Sequence, residues 1–321
     1  MAREKTVKTK SKLDIEEIVK LAKGRFSKKD ASKALRMTTG DKIVLPSDLS
    51  YYITSQALEK FWKLLTGLPG LMFGRIFQIA GKPDSGKSTV AQLFMKAAQD
   101  QDVQVVLWDA EGKFDSTRFR DRMGGLPDNV LVAPSRNILE GGAQVTAYVK
   151  TIKELDPDQK ILIVWDSVGA SLNSAEDEEN DDYSRQPGVT AKEVSWAIRR
   201  FNQLMEKFRD EDGNYTIAIL AINQVYANIG SVGFKQKGGA ELEYLSSLIL
   251  EMSRKSNLTK TRNKQKIKHG ITTIARVKKN HLFHGEDCVA ELDLVISASG
   301  ADLAQDVKNN NKNDDLEEDT D

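Results

Sequence analysis

The segment from Gly81 to Thr89 constrains this chain more than any other part of it. It reads Gly81-Lys82-Pro83-Asp84-Ser85-Gly86-Lys87-Ser88-Thr89 and fits the spacing GxxxxGK[ST]. Patterns this short arise by chance, so the flanks matter. An apolar stretch, RIFQIAG, leads in, and an amphipathic one, STVAQLFMKAAQD, leads out. A strand, a glycine-rich turn and a helix start let backbone N–H groups converge on a phosphate, because first-turn amides lack intrahelical partners. In such a loop Lys87 reaches the β and γ phosphates, the Ser88 hydroxyl ligates Mg²⁺, and Thr89 contacts the α phosphate. ATP with Mg²⁺ is the expected cofactor pair. The competing reading is a glycine-rich turn that holds nothing.

Around this loop, strand and helix patterns alternate. VQVVLWDAEG, NVLVAPS, ILIVWDS and YTIAILAINQ read as strands, and AQVTAYVKTIKEL and KEVSWAIRRFNQLMEKF as helices. Nearly all-apolar strands are what a parallel sheet covered on both faces requires. SSLILEMSR, GITTIARVKKN and VAELDLVIS follow at polar or turn-sized gaps and read as an antiparallel extension. Upstream, Ile15, Ile18, Val19 and Ala22 mark an amphipathic helix, and KIVLPSDL a short arm. Ser55 is placed to cap a helix carrying Leu58, Phe61, Leu64 and Leu65. The expected organisation is a basic arm and helix over 1–50, a core over 51–300, and an unfolded acidic tail over 301–321. Trp108 and Trp165 read as core, and Cys288, the one cysteine, as a partly buried thiol.

Acids at strand ends carry the remaining chemistry. Asp166 closes ILIVWDS, where a P-loop protein holds Mg²⁺ through water; a turn cap is the plainer alternative. Glu111 follows VVLWDA and can serve as general base toward a water aimed at the γ phosphate. Asp109, on the same strand face, is its rival, and the residues alone leave the two open. Asn223 and Gln224 end a strand that opens into the glycine-rich YANIGSVGFKQKGG, so an amide there either senses the γ phosphate or merely closes the strand.

Charge is segregated although the formal net charge is zero. Residues 3–12 hold five bases and one acid, Glu176–Asp182 six acids in seven positions, and Arg254–Lys279 ten bases with no acid. The final stretch, Asp306–Asp321, holds seven acids against two lysines. This suits either a nucleic-acid binder screened by acidic segments or an ordinary solvated surface. Arg185, Phe234, Lys235 and Lys237 lie in two candidate DNA-contacting loops, 172–190 and 225–239, where lysines reach phosphates and aromatics wedge between bases. The three histidines show no zinc spacing. The absence of a long apolar run and of a secretory pattern points to the cytoplasm.

These pieces form a known pattern. The stretch from about Leu68 to Ser299 resembles the core of the RecA-type recombinases, bacterial and UvsX-like phage proteins alike. The matching segments are LPGLMFGRIFQIAGKPDSGKST, WDAEGKFD, LIVWDSVGASL, AINQV and NIGSVGFKQKGGAELEYLSSLILEMSRK. The resemblance implies an α/β RecA-type P-loop core and a DNA-dependent ATPase. Such an enzyme forms a helical filament on single-stranded DNA and pairs it with homologous double-stranded DNA in recombination and repair, aided by single-strand-binding and mediator proteins. It implies Glu111 as the catalytic glutamate, Gln224 as the γ-phosphate sensor, Asp166 as the Mg²⁺ acid, and 172–190 and 225–239 as the DNA loops. It also sets Lys279, Asn280 and His281 over the ATP of a neighbouring subunit. Departures are His281 in place of a second lysine, and Arg118 in place of an adenine-stacking tyrosine, with Phe119 an alternative platform. The other functional classes compatible with the residues are a helicase or switch of the same fold, and a recombination accessory protein that pairs no strands.

Overall fold

The computed structural model describes residues 52–174, 187–227, 234–236, 238–262, 264–282, 288–304 and 306. The arm and helix expected within 1–50, Arg185, Lys237 and most of the 172–190 loop lie outside them. The strands are β1 (Tyr52–Ile53), β2 (Leu71–Met72), β3 (Ile76–Gly81), β4 (Gln104–Asp109), β5 (Val130–Ala133), β6 (Ile161–Asp166), β7 (Ile217–Ala227), β8 (Phe234–Gln236), β9 (Leu248–Arg262), β10 (Gln265–Asn280), β11 (Glu291–Ser297) and β12 (Ala301–Leu303). The helices are α1 (Gln56–Thr66), α2 (Lys87–Asp100), α3 (Ser116–Met123), α4 (Ile138–Leu155), α5 (Pro187–Lys207) and α6 (Gly239–Leu245).

The main sheet runs β12-β11-β10-β9-β3-β7-β6-β4-β5, with β8 paired to the end of β7. From β9 to β5 every pairing is parallel; β10, β11 and β12 are antiparallel additions. SSLILEMSR therefore belongs to the parallel part, and the antiparallel extension begins one strand later than the sequence suggests.

Two-residue alternation divides the apolar strands between two cores. On β6, Leu162 and Val164 pack with α1, α2 and α3 through Phe61, Phe94 and Phe119. Ile161, Ile163 and Trp165 face α4, α5 and α6 through Val149, Phe201 and Leu242. Each large apolar side chain so buried contributes about 1.5–3 kcal/mol before entropy is counted. Ser55 caps α1 by accepting from the Leu58 N–H at 3.4 Å, and Gly67 ends the helix at φ +75°. The buried stripe of α1 is Leu58, Phe61, Trp62 and Leu65, and Leu64 is exposed instead.

Two further features differ from the sequence reading. Lys255–Arg262 and Gln265–His269 belong to the paired strands β9 and β10 rather than to a polar gap. Ala301–Leu303 pairs with β11 and is buried at Ala301 and Leu303, so folding extends past residue 300. Among the described residues no helix is long and apolar enough to cross a membrane.

Candidate active site

Three strands, β3, β4 and β6, end at one edge of the sheet, and β7 runs three residues beyond it. In the pairing register Gly81 of β3 lies beside Gln224 of β7, and Asp109 of β4 beside Asp166 of β6. Ligands of open α/β sheets bind outside such carboxyl ends. The loop after β3 has no room for side chains at Gly81 and Gly86. A Cβ on Gly81 would meet the Met252 carbonyl oxygen at 2.2 Å, and one on Gly86, at φ +89°, would meet Ile296 at 2.8 Å. Within the loop, Ser85 Oγ donates to the Lys82 carbonyl at 2.9 Å, and Lys87 Nζ reaches the same oxygen at 2.7 Å. Asp84 adopts φ +58°. Burial lowers the Lys87 pKa against the opposing fields of Asp166, Glu111 and Asp84.

Asp166 is coupled to Ser88 by a hydrogen bond, yet burial pushes its carboxyl up to about 6. The Asp166–Ser167 peptide is cis. Trp108 and Trp165, one residue below the two acids, stack at 4.1 Å with their planes 9° apart. They are core, as the sequence suggests.

The geometry separates Asp109 from Glu111. Asp109 accepts from the backbone N–H of Lys113 at 3.1 Å and of Phe114 at 3.0 Å, so both its oxygens anchor the turn that follows β4. Glu111 instead faces the site. Its Oε1 accepts from Ser167 Oγ at 2.7 Å and Gln224 Nε2 at 2.8 Å, and its Oε2 pairs with Lys113 Nζ at 2.9 Å. Burial raises the Glu111 pKa, but the hydrogen bonds from Lys113, Ser167 and Gln224 outweigh it and hold the carboxyl below its usual range. Lys113 is the residue that the sequence reading missed. Its spacing two residues after Glu111 was visible, but the turn that folds it back was not.

A cavity of about 310 Å³ lies beside α2, lined among others by Ser88, Asp109, Glu111, Arg118 and Asp166. Arg118 reaches Thr89 Oγ1 at 2.8 Å and the carbonyls of Ala298 and Ser297 at 3.3 and 3.4 Å. Phe119 does not line the site. It is fully buried against Phe114, turned about 100° around α3 from Arg118, and cannot serve as a base platform.

Lys279 lies far from this edge. It pairs with Ile249 at the start of β9, the end of the sheet opposite the P-loop. Its Nζ donates to the carbonyls of Glu243 and Tyr244, at 2.7 and 2.8 Å, closing the end of α6. A bulge between Val277 and Lys279 breaks the alternation that would set Lys278 on the other face; Lys278 meets Glu243 of the same helix at 3.1 Å. Asn280 donates to the Thr66 carbonyl of its own chain at 2.9 Å, and His281 is exposed. Phe234 and Lys235 lie on β8, which pairs antiparallel with the part of β7 that follows Gln224.

The model of the RecA N-terminal domain matches residues 46–298. The chain belongs to that family. Similar relatives include Protein RecA of Ureaplasma parvum, 28% identical over 213 residues, covering 65% of this chain and 59% of that protein. Protein RecA of Bacillus thuringiensis is 28% identical over 249 residues, covering 74% of this chain and 68% of the relative. For Sulfurimonas denitrificans the figures are 28% over 230 residues, 70% and 61%. The match thus spans about 59% of the length of the first of these curated relatives. Membership fixes the fold as a RecA-type P-loop core with a mostly parallel sheet, and relates the chain to recombinases and to P-loop ATPases.

Proposed function

We propose that the chain is an ATP- and single-stranded-DNA-dependent recombinase that forms a helical filament and pairs the bound strand with homologous duplex. The observation that carries this reading is the hydrogen bond from Gln224 to Glu111. It joins the candidate general base to the strand that continues into the 225–239 loop, so nucleotide chemistry and loop position are linked through one amide. A P-loop protein that only stores nucleotide has no need of that link.

In this reading Gly81–Thr89 wraps the phosphates and Lys87 neutralises the β and γ oxygens. Ser88 and Asp166 suit Mg²⁺, a hard cation that takes few protein oxygens and completes its shell with water and phosphate; their donor set, a hydroxyl hydrogen-bonded to a carboxylate, fits that ion. The ion supplies charge neutralisation at the phosphates. Glu111 orients and deprotonates the attacking water, with Ser167 and Gln224 holding its carboxylate in place. Arg118, beside Thr89, faces the nucleotide's α-phosphate side. Lys279 and His281 serve the ATP of the adjoining subunit, which is consistent with their distance from their own P-loop. Arg185, Phe234, Lys235 and Lys237 contact DNA, and the 1–50 segment docks on the neighbour. Single-strand-binding and mediator proteins are further partners, and the cytoplasm is the compartment.

The test is electron microscopy of the full chain with single-stranded DNA, Mg²⁺ and a slowly hydrolysed ATP analogue, beside ATP turnover with and without DNA. Helical filaments and DNA-stimulated turnover support the reading. Closed rings would favour a helicase of the same fold, and an absence of DNA coating an accessory role.

A further inference from the structure

Lys113 is a cation inside the candidate active site to which no role has been given. The backbone that carries it is fixed. Both Asp109 oxygens hold the N–H groups of Lys113 and Phe114, and Gly112 turns the chain at φ +64°. Nothing lies within 4 Å of a Cβ built on Gly112, so glycine is needed there for the turn and not for space. The turn returns Lys113 Nζ to Glu111 Oε2 at 2.9 Å, while the side chain stays 78% exposed. A rigid mount thus carries a long, flexible stem.

The surroundings of that stem identify what else it can meet. Lys113 lines one cavity with Ser88, Glu111 and Asp166. Lys87 directly precedes Ser88 at the start of α2, so Lys87 approaches this space from the P-loop and Lys113 from the turn after β4. That space is where the terminal phosphates of a nucleoside triphosphate lie if Lys87 binds them.

We propose that Lys113 is a second cis cation for the γ phosphate: it pairs with Glu111 in the absence of a triphosphate and exchanges that carboxylate for γ-phosphate oxygens when one binds. The exchange is favourable because a terminal phosphate offers more negative charge and more acceptor oxygens than a carboxylate. Its consequence is a safeguard. While Lys113 stays on Oε2, the acceptor that a water would use is taken; the γ phosphate itself removes the block. A diphosphate lacks the group that draws Lys113 away.

The proposal rests on the ATPase reading, and binding measurements separate the two. The full chain is titrated with Mg²⁺ plus ADP, or Mg²⁺ plus a non-hydrolysable ATP analogue, in calorimetry. Lys113→Met should weaken the triphosphate about 3- to 10-fold and leave ADP within about 2-fold. Lys113→Arg should restore the preference. In a Glu111→Gln background, where the competing carboxylate is gone, the triphosphate should bind more tightly with Lys113 present and show no such gain with Met at 113. An unchanged triphosphate-to-diphosphate ratio in Lys113→Met overturns the proposal, as does equal loss of both ligands, which would mark Lys113 as structural. If the unmodified chain binds neither nucleotide, the ATPase reading falls, and the clamp with it.

Discussion

Gln224 on β7 and Glu111 after β4 are bonded through Nε2 and Oε1 at 2.8 Å. The residues are 113 positions apart in sequence, and β6 runs between their strands. The bond therefore crosses over the end of β6, above Asp166 and Ser167, and ties three strand ends into one polar cluster.

Glu111→Gln keeps the volume of that side chain and its capacity to accept from Gln224, but cannot take a proton from water. Turnover should fall by about 10²- to 10⁴-fold with nucleotide affinity retained. Steady-state ATP hydrolysis beside equilibrium binding checks this, and an affinity loss as large as the rate loss would make Glu111 structural. Gln224→Ala should leave ATP binding intact while removing most of the stimulation by DNA.

Asp166 sets a pH dependence in the absence of Mg²⁺. Burial lifts its carboxyl from 3.8 in the unfolded chain to about 6 in the folded one. The folded state therefore holds its proton more tightly, and ionisation opposes folding. That cost is absent below the unfolded value, grows between the two, and is complete above the folded value. Asp166→Asn should stabilise the metal-free protein by about 3 kcal/mol at pH 7.5, and the difference should shrink toward zero near pH 4. Urea unfolding in EDTA at both pH values measures it.

Arg118 and Phe119 are adjacent but belong to different parts of the molecule, so their alanine variants should fail differently. Phe119→Ala opens a cavity in the core beneath α3 and should cost about 3–5 kcal/mol of stability. Arg118→Ala should change stability by less than about 1 kcal/mol and instead weaken nucleotide binding. Thermal unfolding and nucleotide titration of the pair separate the roles.

Lys279 must give up the Glu243 and Tyr244 carbonyls to reach a neighbouring subunit. Lys279→Ala should abolish DNA-dependent turnover while leaving its own P-loop intact. Blending it with Lys87→Ala subunits should restore part of that turnover, at junctions where an intact Lys279 meets an intact Lys87 site. A blend as inactive as either variant alone, in filaments shown to contain both, would exclude the role between subunits. A Lys278→Ala variant would not isolate the share of Lys279, because the bulge brings Lys278 to the same helix end.

How far the sequence could be read follows from the kind of signal each element leaves. β3, β4, β6 and β7 were legible because strands covered on both faces are apolar without interruption, and the P-loop because its spacing is tied to mechanism. Asp109 and Glu111 were not separable, since their alternation is the same and only the turn at Gly112 commits Asp109 to backbone amides. The outer half of the β9–β10 hairpin was illegible because it buries nothing; exposed strands carry no apolar alternation. β12 is three residues long, too short for a periodicity. The bulge at Lys278 escaped notice because an added residue in one strand is a property of the pairing, and the partner strand is not visible in the local sequence.

The stacked pair Trp108 and Trp165 braces the two strand ends that carry the chemistry. Asp109 and Asp166 are partners in the β4–β6 ladder, so backbone hydrogen bonding sets their lateral separation without any ligand, and the two indoles in face contact stiffen that pairing one residue below, from the opposite face of the sheet. The brace has its own backstop: a Cβ on Gly141 of α4 would meet the Trp108 ring at 2.2 Å. A methyl group there, touching no phosphate, would displace the Trp108 ring and loosen the packing beneath both acid-bearing strand ends. Gly141 is in that sense part of the footing on which the site stands.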